Sequence, residues 1–109
     1  MITRNKRKIE IYENAGAYMR LLKTVGTKAV VSISPLLHAK DTDRLLKALK
    51  TIDEIYSKAD SNMFSDYPSL GHEYVDVFYG ALDLTPRNDI DEKIRSMAKE
   101  RVDELFKRK

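Results

Sequence analysis

Apolar residues recur along this chain at the spacing of α-helices. Ile11, Ala15, Tyr18, Leu22 and Val25 are separated by 4, 3, 4 and 3 positions, which places all five on one helical stripe. Gly26 follows as a C-terminal stop. A second stripe runs Leu45, Leu49, Ile52, Tyr56, Ala59 and Met63, behind Asp41, whose carboxylate suits an N-cap. A third comprises Ile90, Ile94, Met97, Ala98, Val102, Leu105 and Phe106, with Asp89 and Glu92 at its start in capping-box spacing. Each stripe is expected to face the core.

Two further segments read less simply. Leu70, Tyr74, Val77, Phe78, Ala81 and Leu82 fit a fourth helix, capped by Ser69 and with Gly80 allowing close packing. Residues 27–39 read as a short helix bent at Pro35, whose ring removes a backbone donor. Val30, Val31 and Ile33 would also suit a strand, but no second strand is visible to pair with it, so helix is preferred. Residues 61–69, with Asn62, Asp66 and Pro68, read as the one long loop. The expected fold is all-α: a single domain over residues 1–109, a compact antiparallel bundle of four or five helices, with residues 1–8 a flexible basic arm.

Composition narrows the class. Hydrophobic residues make up 42% and charged residues 34%, which suits a solvated globular domain and argues against disorder. Without cysteine there is no disulfide framework, thiol nucleophile or thiolate metal site. After the basic run of Arg4, Lys6, Arg7 and Lys8, the residues Glu10, Glu13 and Asn14 interrupt what a secretory signal would need to be apolar. No apolar stretch is long enough to span a bilayer. A cytoplasmic protein with no membrane partner is expected.

The net charge of +3 conceals a sorting of charge along the chain. Residues 1–50 carry eleven Lys/Arg against four Asp/Glu, and residues 51–106 carry six against thirteen. Arg4, Lys6, Arg7 and Lys8, extended by Lys40, Arg44 and Lys47, form a candidate surface for sequence-nonspecific nucleic-acid binding through phosphates. The plainer reading is a solvated face. A helix-turn-helix is rejected, because Pro35 would fall inside it. The acidic half suits docking on a basic protein or nucleoprotein, and the two halves also suit pairing between copies of the chain. Beside it, Met63, Phe64 and Tyr67, with Asp60 and Asp66, form a candidate partner-binding loop, against the plainer reading that the loop packs over the bundle end.

Signals for chemistry are poor. His38 and His72 are the sole imidazoles, and neither stands in a metal-binding spacing; His72 and Asp76 share a helical face but offer two ligands at most. Asp60, Asn62 and Asp66 do not complete a calcium loop, because Phe64 stands where an oxygen is required. No catalytic residue, metal or cofactor is therefore expected. Ala15, Gly16 and Ala17 form a small-residue patch that admits a close helix, within the chain or from a second subunit. The functional expectation is a small non-enzymatic accessory, regulatory or inhibitory protein of a bacterium or phage. It would engage a macromolecular partner through charged faces and the aromatic loop, with nucleic-acid binding as the alternative.

Overall fold

The first two apolar stripes belong to two long helices, α1 (Ile9–Ile33) and α2 (Ala39–Asp66), in a computed structural model that describes residues 7–82 and 85–107. Gly26 does not stop α1. A single glycine costs a helix interior about 1 kcal/mol relative to alanine, which tertiary contact readily offsets. The helix ends instead on approach to Pro35, which sits in a 3₁₀ turn, Ser34–Leu36, after which Leu37 is extended. Residues 27–33 are thus helical, as preferred over a strand, but as the end of α1.

At the start of α2 the cap residue is His38, which makes no side-chain capping bond. Asp41 is not the cap; it lies within the first turn, where its charge faces the positive end of the helix dipole. The expected loop over 61–69 is for the most part absent, because α2 continues to Asp66 and ends with Pro68 close behind. The apolar stripe that reaches Met63 decides this, since Met63 is fully buried and holds its turn in helical register.

The two helices form an antiparallel hairpin, and their contacts fix the register. Tyr12 meets Asp66, the Tyr56 hydroxyl donates to the Met19 carbonyl, Lys23 lies 3.6 Å from Asp53, and Gly26 faces Leu49. The expected fourth helix is reduced to a 3₁₀ turn, His72–Val75, and one α-helical turn, α3 (Asp76–Tyr79). Gly80 leaves the helix in extended conformation, with its Cα pressed against Asp91 and Arg20, so that a side chain there would overlap both. The last helix, α4 (Asp89–Leu105), is capped by Asn88, not Asp89: the Asn88 side chain accepts from the Asp91 N–H at 2.8 Å. Leu105 and Phe106, expected in the core, are exposed at the end of α4.

The core gathers at one end of the molecule. Tyr12, Ala17, Met63, Val77, Phe78, Ile94 and Ala98 form it, where the first half of α1 meets the second half of α2, α3 and α4. The rest of the hairpin projects beyond, giving extents of 47 × 31 × 31 Å and a radius of gyration of 15.6 Å, against about 13 Å for a compact chain of this length. No strand occurs among the described residues, so the chain is all-α.

Gly16 is where α3 closes on α1: a methyl group there would sit 2.6 Å from Val77 Cγ1 and overlap the Val77 carbonyl. Gly16→Ala is therefore expected to lower stability by about 1–3 kcal/mol through overpacking, despite alanine's higher helix propensity. Gly26→Ala, whose new methyl meets only the mobile end of Leu49 at 3.0 Å, should be neutral or slightly stabilising. Thermal unfolding followed by circular dichroism separates the two.

Candidate functional site

The face that α1 buries is not the one its apolar spacing selects. Tyr12, Glu13, Gly16, Ala17, Arg20 and Val30 are inside. The stripe expected to form the core stands outside: Ile11 is 42% exposed, Tyr18 44%, Leu22 45% and Val25 60%, and Ala15 is half-buried. Ala29 and Ile33 continue the stripe, also exposed. α2 lies along Tyr12, Met19, Lys23 and Gly26, while α3 and α4 cover Gly16, Ala17 and Arg20. Among the described residues, no helix packs on the third side of α1. α2 adds to it: Ser57 reaches Tyr79 of α3, so Ile55, about 100° from Tyr56 on the other side, points away from α3 and is exposed.

What holds α1 in this orientation is Arg20. Its guanidinium is almost fully buried and donates to Asp91 Oδ1 at 2.7 Å, to the Val77 carbonyl at 3.3 Å and to the Asp76 carbonyl. Burial pulls the Arg20 pKa down, against the opposing pull of Asp91. Burial alone would raise the Asp91 carboxyl; the Arg87 backbone N–H at 2.9 Å and Arg20 outweigh it and hold Asp91 below the usual carboxylate range. Asp76 is engaged in turn by Arg87 and by Asn88 Nδ2 at 2.7 Å. Nearby, the buried Glu13 receives Lys93 at 3.0 Å, which raises the lysine's pKa. Each charged side chain in this network faces one of opposite charge, so its evident work is to fasten helices together.

The residues proposed as a partner-binding loop lie at the opposite end of the core. Met63 is inside, which removes it as an exposed anchor; Phe64 and Tyr67 are half-buried against the core. Asp66 is bound by Arg7 through Nε at 2.8 Å and Nη2 at 2.9 Å and also accepts from the Tyr12 hydroxyl. Tyr67 donates to the Arg7 carbonyl at 2.7 Å and meets the Tyr12 ring edge-on at 6.5 Å. Burial, then the neighbouring Asp66, push Tyr12 up to about 12. The segment packs over the bundle end, and Arg7, placed in the sequence on a free arm, is the clamp that closes it. Asp60 is half-buried, and one of its carboxylate oxygens is inside without a hydrogen-bond partner, so burial raises its pKa.

Of the other basic candidates, Arg4 and Lys6 lie outside the described residues. Lys8 caps α1 and is exposed. Lys40, Arg44 and Lys47 are exposed on the first half of α2, with Arg44 3.8 Å from Asp41. His38 and His72 are exposed and far from one another in the chain, and among the described residues no three His, Asp or Glu side chains converge to hold a metal ion. A concavity of about 520 Å³ between Leu21, Leu82, Pro86 and α4 contains no histidine in its lining. No helix among the described residues is long and apolar enough to cross a membrane. No protein-family model, curated protein or solved structure matches this chain.

The bare face was legible in one respect. The small pair Gly16 and Ala17, beside Arg20, marks the side of α1 that other elements approach closely.

The two shifted carboxyls carry opposite pH signatures. Asp91 has a lowered pKa, so its contribution is complete above the ordinary carboxyl pKa of about 4 and is lost as pH falls through its lower folded value. Asp60 has a raised pKa, so its charged form costs stability at neutral pH, and that cost is relieved as pH falls through the raised value. Asp60→Asn is expected to raise the melting temperature at pH 7, with the gain over wild type shrinking as pH is lowered towards 4. A series of melts across that range checks it.

Proposed function

We propose that this chain is a small non-enzymatic interaction protein, accessory, regulatory or inhibitory in role, which binds a protein partner through the bare side of the α1–α2 hairpin. The observation that carries the reading is the exposed apolar stripe of Tyr18, Leu22, Val25 and Ile33. Contiguous apolar surface on a soluble protein marks a place where something docks, and buried aromatic and aliphatic anchors dominate such contacts. On this reading the chain is an antiparallel bundle with helices on one side of its hairpin only, and the partner supplies the missing layer. The contact surface thereby moves from residues 60–67, which serve the core and the Arg7 clamp, to the outward stripe of α1.

The test is the double substitution Leu22→Glu and Val25→Glu. Leu22 is 45% exposed and Val25 60%, so helicity and melting should change by no more than about 0.5 kcal/mol. Binding to the partner recovered with the wild-type chain should fall by at least thirtyfold, the effect of losing about 2 kcal/mol at a central anchor. Undiminished binding by the double variant counts against this surface.

A second reading rests on Lys40, Arg44 and Lys47, which recur at 4 and 3 positions on α2 and are all exposed. Such a stripe suits the phosphate backbone of a nucleic acid. If it works this way, reversing the three charges should weaken binding to unrelated DNA sequences about equally and flatten its dependence on salt. Absence of binding by the wild-type chain at low salt removes this reading.

A further inference from the structure

We infer that the occupant of the bare hairpin face is a second copy of this chain, with α1 lying antiparallel on α1 of the other copy about a two-fold axis at Leu22. This rests on the reading of that face as an interaction surface and assigns its partner.

The order of residues along the stripe carries the assignment. Counted from Leu22, Ile11 lies eleven positions before and Ile33 eleven after; Ala15 lies seven before and Ala29 seven after. Tyr18 lies four before and Val25 three after. In a two-fold, isologous contact between antiparallel helices, a residue a given distance before the axis meets the one the same distance after it on the other copy. Isoleucine then meets isoleucine, alanine meets alanine and Leu22 meets itself, while Tyr18 meets Gly26 and Val25 meets Met19. The alanine layers let the backbones approach, and the large residues fill the centre and the ends. From Ile11 to Ala29 the stripe also keeps the alternating 4-3 spacing of a coiled-coil seam, which stays in contact with a second helix along its length.

Charge selects the antiparallel arrangement. Residues 28–50, towards the hairpin tip, hold Lys28, Lys40, Arg44, Lys47 and Lys50 against Asp41 and Asp43. The core end of the hairpin, residues 7–27 and 51–66, holds five Lys/Arg against six Asp/Glu. Antiparallel stacking sets the cationic tip of one copy over the nearly balanced core end of the other, whereas parallel stacking would set cationic tip against cationic tip.

The full chain should sediment at twice its 12.6 kDa mass within the range of about 1–100 μM, where moderate dimers form. Leu22→Glu, which sets two carboxylates across the axis, should raise the dissociation constant at least thirtyfold while leaving the helical spectrum unchanged. Val25→Glu, at a more exposed position, gives the same readout should Leu22→Glu perturb folding. Because the chain contains no cysteine, single-cysteine variants report orientation. Leu22→Cys should cross-link to itself, and Ala15→Cys should cross-link to Ala29→Cys in a mixture but not to itself. A chain monomeric throughout that range overturns the proposal. The broader reading then survives if the Leu22→Glu, Val25→Glu double variant still loses its partner, whose identity is a different protein. A dimer that persists in both glutamate variants, or an Ala15→Cys variant that cross-links to itself, also overturns the arrangement.

Discussion

The arrangement of this molecule depends on one buried cation. Arg20 leaves water completely, and it does so in the middle of a helix whose neighbours are small: Gly16 and Ala17 a turn before, Gly80 across from it. Desolvating a guanidinium is costly unless its donors are matched, and removing one partner of such a pair costs about 3–5 kcal/mol. Here the matching comes from the Asp91 carboxylate and the carbonyls of Asp76 and Val77. Those acceptors belong to two different elements, so the single side chain ties α1 to α3 and α4 at once. The same Asp91 accepts from the Arg87 backbone, and its own N–H is taken by Asn88, which starts α4.

From that constraint the rest follows. Because α3 and α4 must reach Arg20, they occupy the side of α1 that carries it, and α2 takes the adjacent side through Met19, Lys23 and Gly26. The apolar stripe through Tyr18, Leu22 and Val25 is left facing out. An apolar face displaced by a buried charge is an unusual choice for a monomer, since exposing it forfeits roughly 25 cal/mol for each Å² left in water. It is consistent with a chain whose complete bundle includes helices from another molecule. At the other end, Arg7 and Asp66 close the bundle with a second clamp, and the two ion pairs bracket the core.

The helical class and the existence of the first, second and last helices were readable from spacing alone, because a period of 3.6 is a local property of the chain. The ends of elements were less so. Gly26 read as a stop and runs through; Asp41 and Asp89 read as caps, whereas His38 and Asn88 hold those positions. Each is a competition between local preferences of about 1 kcal/mol or less, which burial elsewhere decides. The aromatic segment misled for the same reason: Asn62 and Pro68 suggest a loop, but burial of Met63 carries the helix to Asp66.

Sequence by itself determined that this is an all-α chain with long amphipathic helices, sorted charge and a stripe of apolar residues on α1 at a regular interval. Only the tertiary structure decided which way that stripe points. Periodicity reports that a helix has two unlike faces, and it is silent on which face the rest of the chain covers. That choice was made by distant residues, Asp91 and the carbonyls after Val75, which satisfy a buried arginine more than fifty positions away.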